Sequence, residues 1–101
     1  MWRKSSGFTE KRRMYSIELS RTAYKWLKSA PPGMPELANI KAKIMELEEK
    51  PKPTGCEKLR LKEEYYRIRY GNYRVVYEID EAEKKVVIVA IGHRREIYRG
   101  I

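Results

Sequence analysis

The sequence predicts an α+β domain: an antiparallel β-sheet of about four strands with an N-terminal helical hairpin packed on one face. Three observations carry this reading. Residues 20–30 and 35–47 repeat apolar side chains at three- and four-residue spacing. Residues 66–92 then form runs of aromatic and β-branched residues. Those runs are separated by "GN" at 71–72 and "DEAEK" at 80–84, both of turn composition.

Each element has its own justification. In "MYSIELS", Tyr15, Ile17 and Leu19 alternate with polar neighbours, the period of a half-buried strand. Ser20 is placed to cap the helix that follows, whose inner stripe is Ala23, Trp26, Leu27 and Ala30. "APPG" at 30–33 ends that helix, because proline cannot continue it. A second helix starts near Pro35. It buries Leu37, Ile40, Ile44 and Leu47 and turns Lys41, Lys43, Glu46, Glu48 and Glu49 to solvent. The two are expected to form an antiparallel pair. "KPKPTG" at 50–55 stops the second helix, and "LRL" at 59–61 opens the first strand after it. Tyr66–Tyr70, Tyr73–Ile79 and Lys85–Gly92 complete the sheet, with "VVIVAI" apolar on both faces and so placed in its interior. Residues 1–13 have no apolar period and hold five Lys or Arg, which marks them as a loose basic arm; Met14 is a candidate start, and 14–101 a single domain.

Length and composition narrow the function. A chain of 101 residues fits one domain that buries about 60 to 65% of its unfolded surface. With 42% hydrophobic and 37% charged residues it is too apolar for a disordered chain and too charged for a membrane protein. The N-terminal residues lack the apolar stretch of a secretory signal. Cys56 is the sole cysteine, which excludes an internal disulfide and a thiolate zinc site, so a reducing cytoplasm is expected. The net charge of +9 points to a polyanionic partner.

The charge is concentrated in "YYRIRYGNYRVVYEI", Tyr65–Ile79. If Gly71 and Asn72 are the loop of a two-residue hairpin, Tyr70 pairs with Tyr73 and Arg69 lies directly opposite Arg74. Ile68 then meets Val75 on the other face, Tyr66 meets Tyr77, and Arg67 shares the side of Arg69. Like charges across a strand pair repel, and Glu78 is the acid that the local pattern supplies. A bound anion would relieve the repulsion, and the arginine fork matches phosphate oxygens two at a time. The competing reading is a solvated face on which the arginines splay apart. In "GHRREIYRG", Arg94 and Tyr98 are four apart and share a side, close to the strand carrying Arg74.

From Met14 to Tyr98 the chain resembles the RelE family of the RelE/ParE toxin superfamily. The resemblance rests on "LEEKPKPTGCEKLR", "YYRIRYGNYRVVYEI" and "VVIVAIGHRREIY", in that order and spacing. It implies a RelE-like microbial RNase fold. It also implies the toxin of a type II toxin–antitoxin pair: an endoribonuclease without metal or cofactor that cuts messenger in the ribosomal A site. The partners implied are the ribosome, mRNA and a cognate RelB-like, acidic antitoxin, with no membrane. The family's basic pair falls on Arg67 and Arg69, its arginine after the turn on Arg74, the arginine after the last strand on Arg94 and the catalytic tyrosine on Tyr98. The basic pair is often lysine in family members. The family's C-terminal helix, which in some members is displaced by antitoxin, would be expected beyond Ile101, the last residue of this sequence.

The chemistry asked of such a site is attack by a ribose 2′-OH on the adjacent phosphorus with loss of the 5′ oxygen. That requires a base, charge stabilisation and in-line geometry. Arg74 and Arg94 are the expected charge stabilisers, and Arg67, Arg69, Lys58 and Arg60 an extended phosphate track. Two bases remain open: His93, the one side chain with an ordinary pKa near neutrality, and Tyr98, which the resemblance nominates and nearby cations would activate. If Tyr98 is the base, His93 packs or touches phosphate. Tyr66, Tyr70, Tyr73 and Tyr77 are expected in the core. The alternatives are a gyrase-poisoning toxin of the ParE type without nuclease activity, and a basic RNA-binding protein.

Overall fold

The computed structural model describes residues 15–31, 33–60 and 64–97. The basic arm, Met14, Leu61 and Tyr98 lie outside them. The elements run β1 (Ser16–Leu19), α1 (Arg21–Ser29), α2 (Pro35–Glu46), β2 (Glu57–Arg60), β3 (Glu64–Tyr70), β4 (Tyr73–Asp80) and β5 (Lys85–His93).

The sheet has five strands in the order β1-β5-β4-β3-β2, with β1 parallel to β5 and the other pairs antiparallel. It is therefore mixed, and one strand larger than the four antiparallel strands expected. The reason is the route of the chain. After β1 the two helices carry it across the sheet to the opposite edge, where β2 begins. Three successive reversals then return β5 to the side of β1. Strand β2 also begins earlier than the "LRL" reading, at Glu57.

The helix boundaries follow the local chemistry. Ser20 Oγ accepts from the Ala23 N–H at 3.1 Å, the N-cap expected, a contact worth about 1 kcal/mol. The same hydroxyl donates to the Val89 carbonyl at 2.7 Å, while the Ser20 N–H donates to the Ile88 carbonyl at 2.9 Å. The cap thus also fastens α1 to β5. Pro35 sits at the start of α2, where its missing N–H costs nothing. In the β3–β4 turn Gly71 has φ of 58° and Asn72 does not share that region, the type II′ pattern with glycine first.

One core lies between the helices and one sheet face. Ala23 of α1, Ile40 and Ile44 of α2, and Leu47 just after it meet Ile68, Val75, Tyr77, Val86, Ile88 and Ile91 of the sheet. Tyr66, Tyr70 and Tyr73 pack against this cluster, as expected for the hairpin's tyrosine face. The opposite face has no helix among the described residues. It carries a small cluster of Val76, Ala90 and Ile97, with Leu59, Tyr65 and Val89 at its margin. Between β4 and β5 the register slips at Val76/Tyr77: Val76 pairs with Ala90 and Tyr77 with Ile88, leaving Val89 as an extra residue in β5.

Tyr77 is fully buried and donates its phenol hydrogen to the Pro51 carbonyl at 2.6 Å. Burial first, and the neighbouring Cys56 second, raise its pKa above the ordinary tyrosine value. Below about pH 10 both folded and unfolded chains keep the proton and the full stability is present. As pH rises further the unfolded chain ionises first, and stability falls. Between pH 10 and 11.5 the melting temperature of Tyr77→Phe is therefore expected to decline less steeply than that of the wild type. Equal slopes by circular dichroism would contradict this assignment.

Candidate nucleic-acid interface

The hairpin register places the arginines together. Arg69 pairs with Arg74, Ile68 with Val75 and Arg67 with Val76, so Arg67, Arg69 and Arg74 lie on the face opposite the core. This is the arrangement expected from the "GN" turn. Neighbours on that side are small: Gly92 is the partner of Arg74 on β5, and Ala90 is the partner of Val76. A methyl group added at Gly92 would sit 3.6 Å from Ile97 Cδ1, so Ile97 folds over that glycine. The arginines therefore flank a shallow apolar floor.

The fold orients the guanidinium groups individually. Arg74 Nη1 donates to the carbonyls of Gly71 at 2.9 Å and Tyr73 at 3.0 Å, tying the side chain back to its own turn. Arg67 forms an ion pair with Glu57, its register partner across β2–β3. Arg69 is exposed. Glu57 is a residue that sequence reasoning missed. Hairpin arithmetic gave Glu78 as the local acid, whereas Glu57 is ten positions from Arg67 and reaches it only through the pairing of a separate strand. No short-range signal could have found it.

The end of β5 meets the hairpin turn. The Arg94 N–H donates to the Asn72 carbonyl at 2.7 Å, which holds the backbone of Arg94 beside the loop joining the strands of Arg69 and Arg74. Arg94 itself is exposed, as is Arg95. The turn continues with the Glu96 N–H bonded to the His93 carbonyl at 2.8 Å, and Ile97 returns the chain to the arginine side of the sheet. Tyr98 is the next residue and lies outside the described ones.

Three other nominated residues fall elsewhere. His93 pairs with Tyr73, on the core side of the sheet, and its ring stands edge-on to Tyr73 at 5.8 Å, with Trp26 edge-on to the same tyrosine at 5.9 Å. The Arg95 N–H donates to His93 Nδ1 at 3.2 Å, which puts the proton of the neutral imidazole on Nε2. Of the readings open for His93, packing fits this position. Lys58 pairs with Tyr66, also on the core side, and its ammonium lies 3.3 Å from the Glu64 carboxylate. It does not extend the arginine track. The register of Arg60, opposite Glu64, puts it on the Lys58 side of β2. Alternation along a strand decides both cases: Lys58 and Arg60 are two apart, and the β2 residues on the arginine face are Glu57 and Leu59. Among the described residues no group of three or more His, Cys, Asp or Glu could hold a metal ion, and no helix is long and apolar enough to cross a membrane.

A small mixed sheet with helices on one face and an arginine cluster on the other is the architecture expected of the RelE/ParE toxins. Family comparison agrees: residues 17–98 match the model described as the ParE toxin of the parDE type II toxin–antitoxin system. The chain belongs to this superfamily of type II toxins, on its RelE side. It is 31% identical over 85 residues to toxin RelG of Mycobacterium tuberculosis, covering 84% of this chain and 97% of that protein. Among solved structures it resembles the RelBE2 toxin–antitoxin complex of M. tuberculosis, with 29% identity, TM-score 0.65 and coverage of 79% of this chain and 98% of that one. The RelE–RelB complex of Pyrococcus horikoshii OT3 is similar at 26% identity and TM-score 0.67, covering 80% and 96% respectively.

Proposed function

We propose that this toxin is a ribosome-dependent, metal-independent endoribonuclease that cuts mRNA in the A site and is silenced by an acidic, RelB-like antitoxin. The observation that carries the reading is the strand-paired Arg69 and Arg74 sharing an open sheet face with Arg67, beside the tethered Arg94. Arginines fixed on a rigid sheet can hold the non-bridging oxygens of a phosphate as charge builds during attack by the 2′-OH. They need no metal for this. Tyr98 takes the proton from the 2′-OH, since cations beside a phenol favour its ionised form. Arg94 stabilises charge rather than donating a proton, because a guanidinium is too weak an acid to give one up in neutral solution. The antitoxin is supported by the relatives solved as RelB complexes.

Added to a translating extract, the protein is expected to break messenger within codons only when ribosomes are present, and Tyr98→Phe to stop the breaks. Intact messenger alongside persistent DNA breaks would instead favour the second reading, a gyrase poison. That reading draws on the description of the matching family model as a ParE toxin.

A further inference from the structure

We infer that Glu57 is a positioning residue for Arg67, an inference that rests on the ribonuclease reading above. A carboxylate among cations that bind RNA weakens that binding, so its presence on this face calls for an offsetting role. Strand pairing supplies one. Glu57 and Arg67 are register partners on β2 and β3, and the ion pair joins Glu57 Oε1 to Arg67 Nη2. The Arg67 side chain is only 20% exposed, whereas that of Glu57 is 48% exposed. The guanidinium is thus mostly covered and is paired with a more exposed carboxylate.

A guanidinium is a rigid plane, so fixing one edge fixes the direction of every N–H it carries. Glu57 does for Arg67 what the Gly71 and Tyr73 carbonyls do for Arg74. Both arginines are aimed before RNA arrives, and the ordering need not be supplied by substrate binding.

The test compares Glu57→Gln, Arg67→Gln and the double variant, below the melting transition of each, by ribosome-dependent cleavage and by binding to a short mRNA oligonucleotide. Losing a negative charge should tighten oligonucleotide binding by Glu57→Gln, while its kcat falls by about tenfold or more as the guanidinium loses its aim. In the Arg67→Gln background, Glu57→Gln should cause no further loss of kcat. Cleavage by Glu57→Gln at or above the wild-type rate would make Glu57 a mere counter-charge and overturn the inference. An equal loss in both backgrounds would also overturn it, since Glu57 would then act on RNA itself. A wild-type protein that cuts no messenger would remove the function reading, and this inference with it.

Discussion

Replacing Arg74 by alanine is expected to slow messenger cleavage by about two to three powers of ten, while the melting temperature moves by no more than a few degrees. The large kinetic effect follows from position. Arg74 is the residue through which β4 faces Arg69, it borders the floor formed by Gly92 and Ile97, and its guanidinium is already anchored to its own turn. A donor aimed in advance stabilises developing charge without reorganising, and its loss is felt in kcat rather than in binding alone. The small structural effect follows from the same contacts. Gly71 is exposed, so its carbonyl finds water when the arginine is gone, and removing one of two facing cations relieves strand repulsion. Arg74→Lys should recover only part of the rate, because it restores charge without the planar fork. Full cleavage by Arg74→Ala, measured in the same extract, would rule out a phosphate-holding role for this face.

The largest effect on stability is expected at Ile88. It is fully buried, pairs with Leu19 of β1 on one side and Tyr77 of β4 on the other, and its carbonyl receives the Ser20 N–H that starts α1. Truncation to alanine should cost about 2 to 5 kcal/mol, since a cavity inside a sheet bonded on both sides cannot collapse. For a domain of this size that corresponds to a melting temperature lower by about 10 to 30 °C. Leu19→Ala provides the control. That residue remains 38% exposed, so its loss removes less buried area, leaves a site open to solvent rather than a closed cavity, and should cost less. Denaturant titration of the two variants checks the contrast, and equal losses would mean that the core is not where the structure puts it.

What the sequence made legible was local. The two-residue turn at Gly71 and Asn72 fixed the pairing of Arg69 with Arg74, because one turn type determines every later register position. Ser20 and Pro35 marked both helix starts through short-range backbone chemistry. What stayed hidden depended on strands distant in sequence. No periodicity says that Ser16–Leu19 lies parallel to Lys85–Ile88, so the sheet gained a strand and a mixed topology. The side taken by Lys58 depends on its pairing with Tyr66, and the counter-charge of Arg67 on the neighbouring Glu57. Basic composition alone had put Lys58 with the arginines.

The extra residue in β5 separates chemistries as well as strands. Up to Ile88 the even-numbered side chains enter the core; from Ile91 onward the odd-numbered ones do. Val89 marks that change of parity, and its carbonyl, displaced from the ladder, is taken up by Ser20. Had the strand run without interruption, His93 would emerge among the guanidinium groups and Gly92 would be lost beneath the helices. The bulge thus keeps the imidazole away from the cationic surface: with every residue retained and the bulge ironed out, His93 and Gly92 would trade sides, whereas deletion of the Val89 codon would leave both where they are.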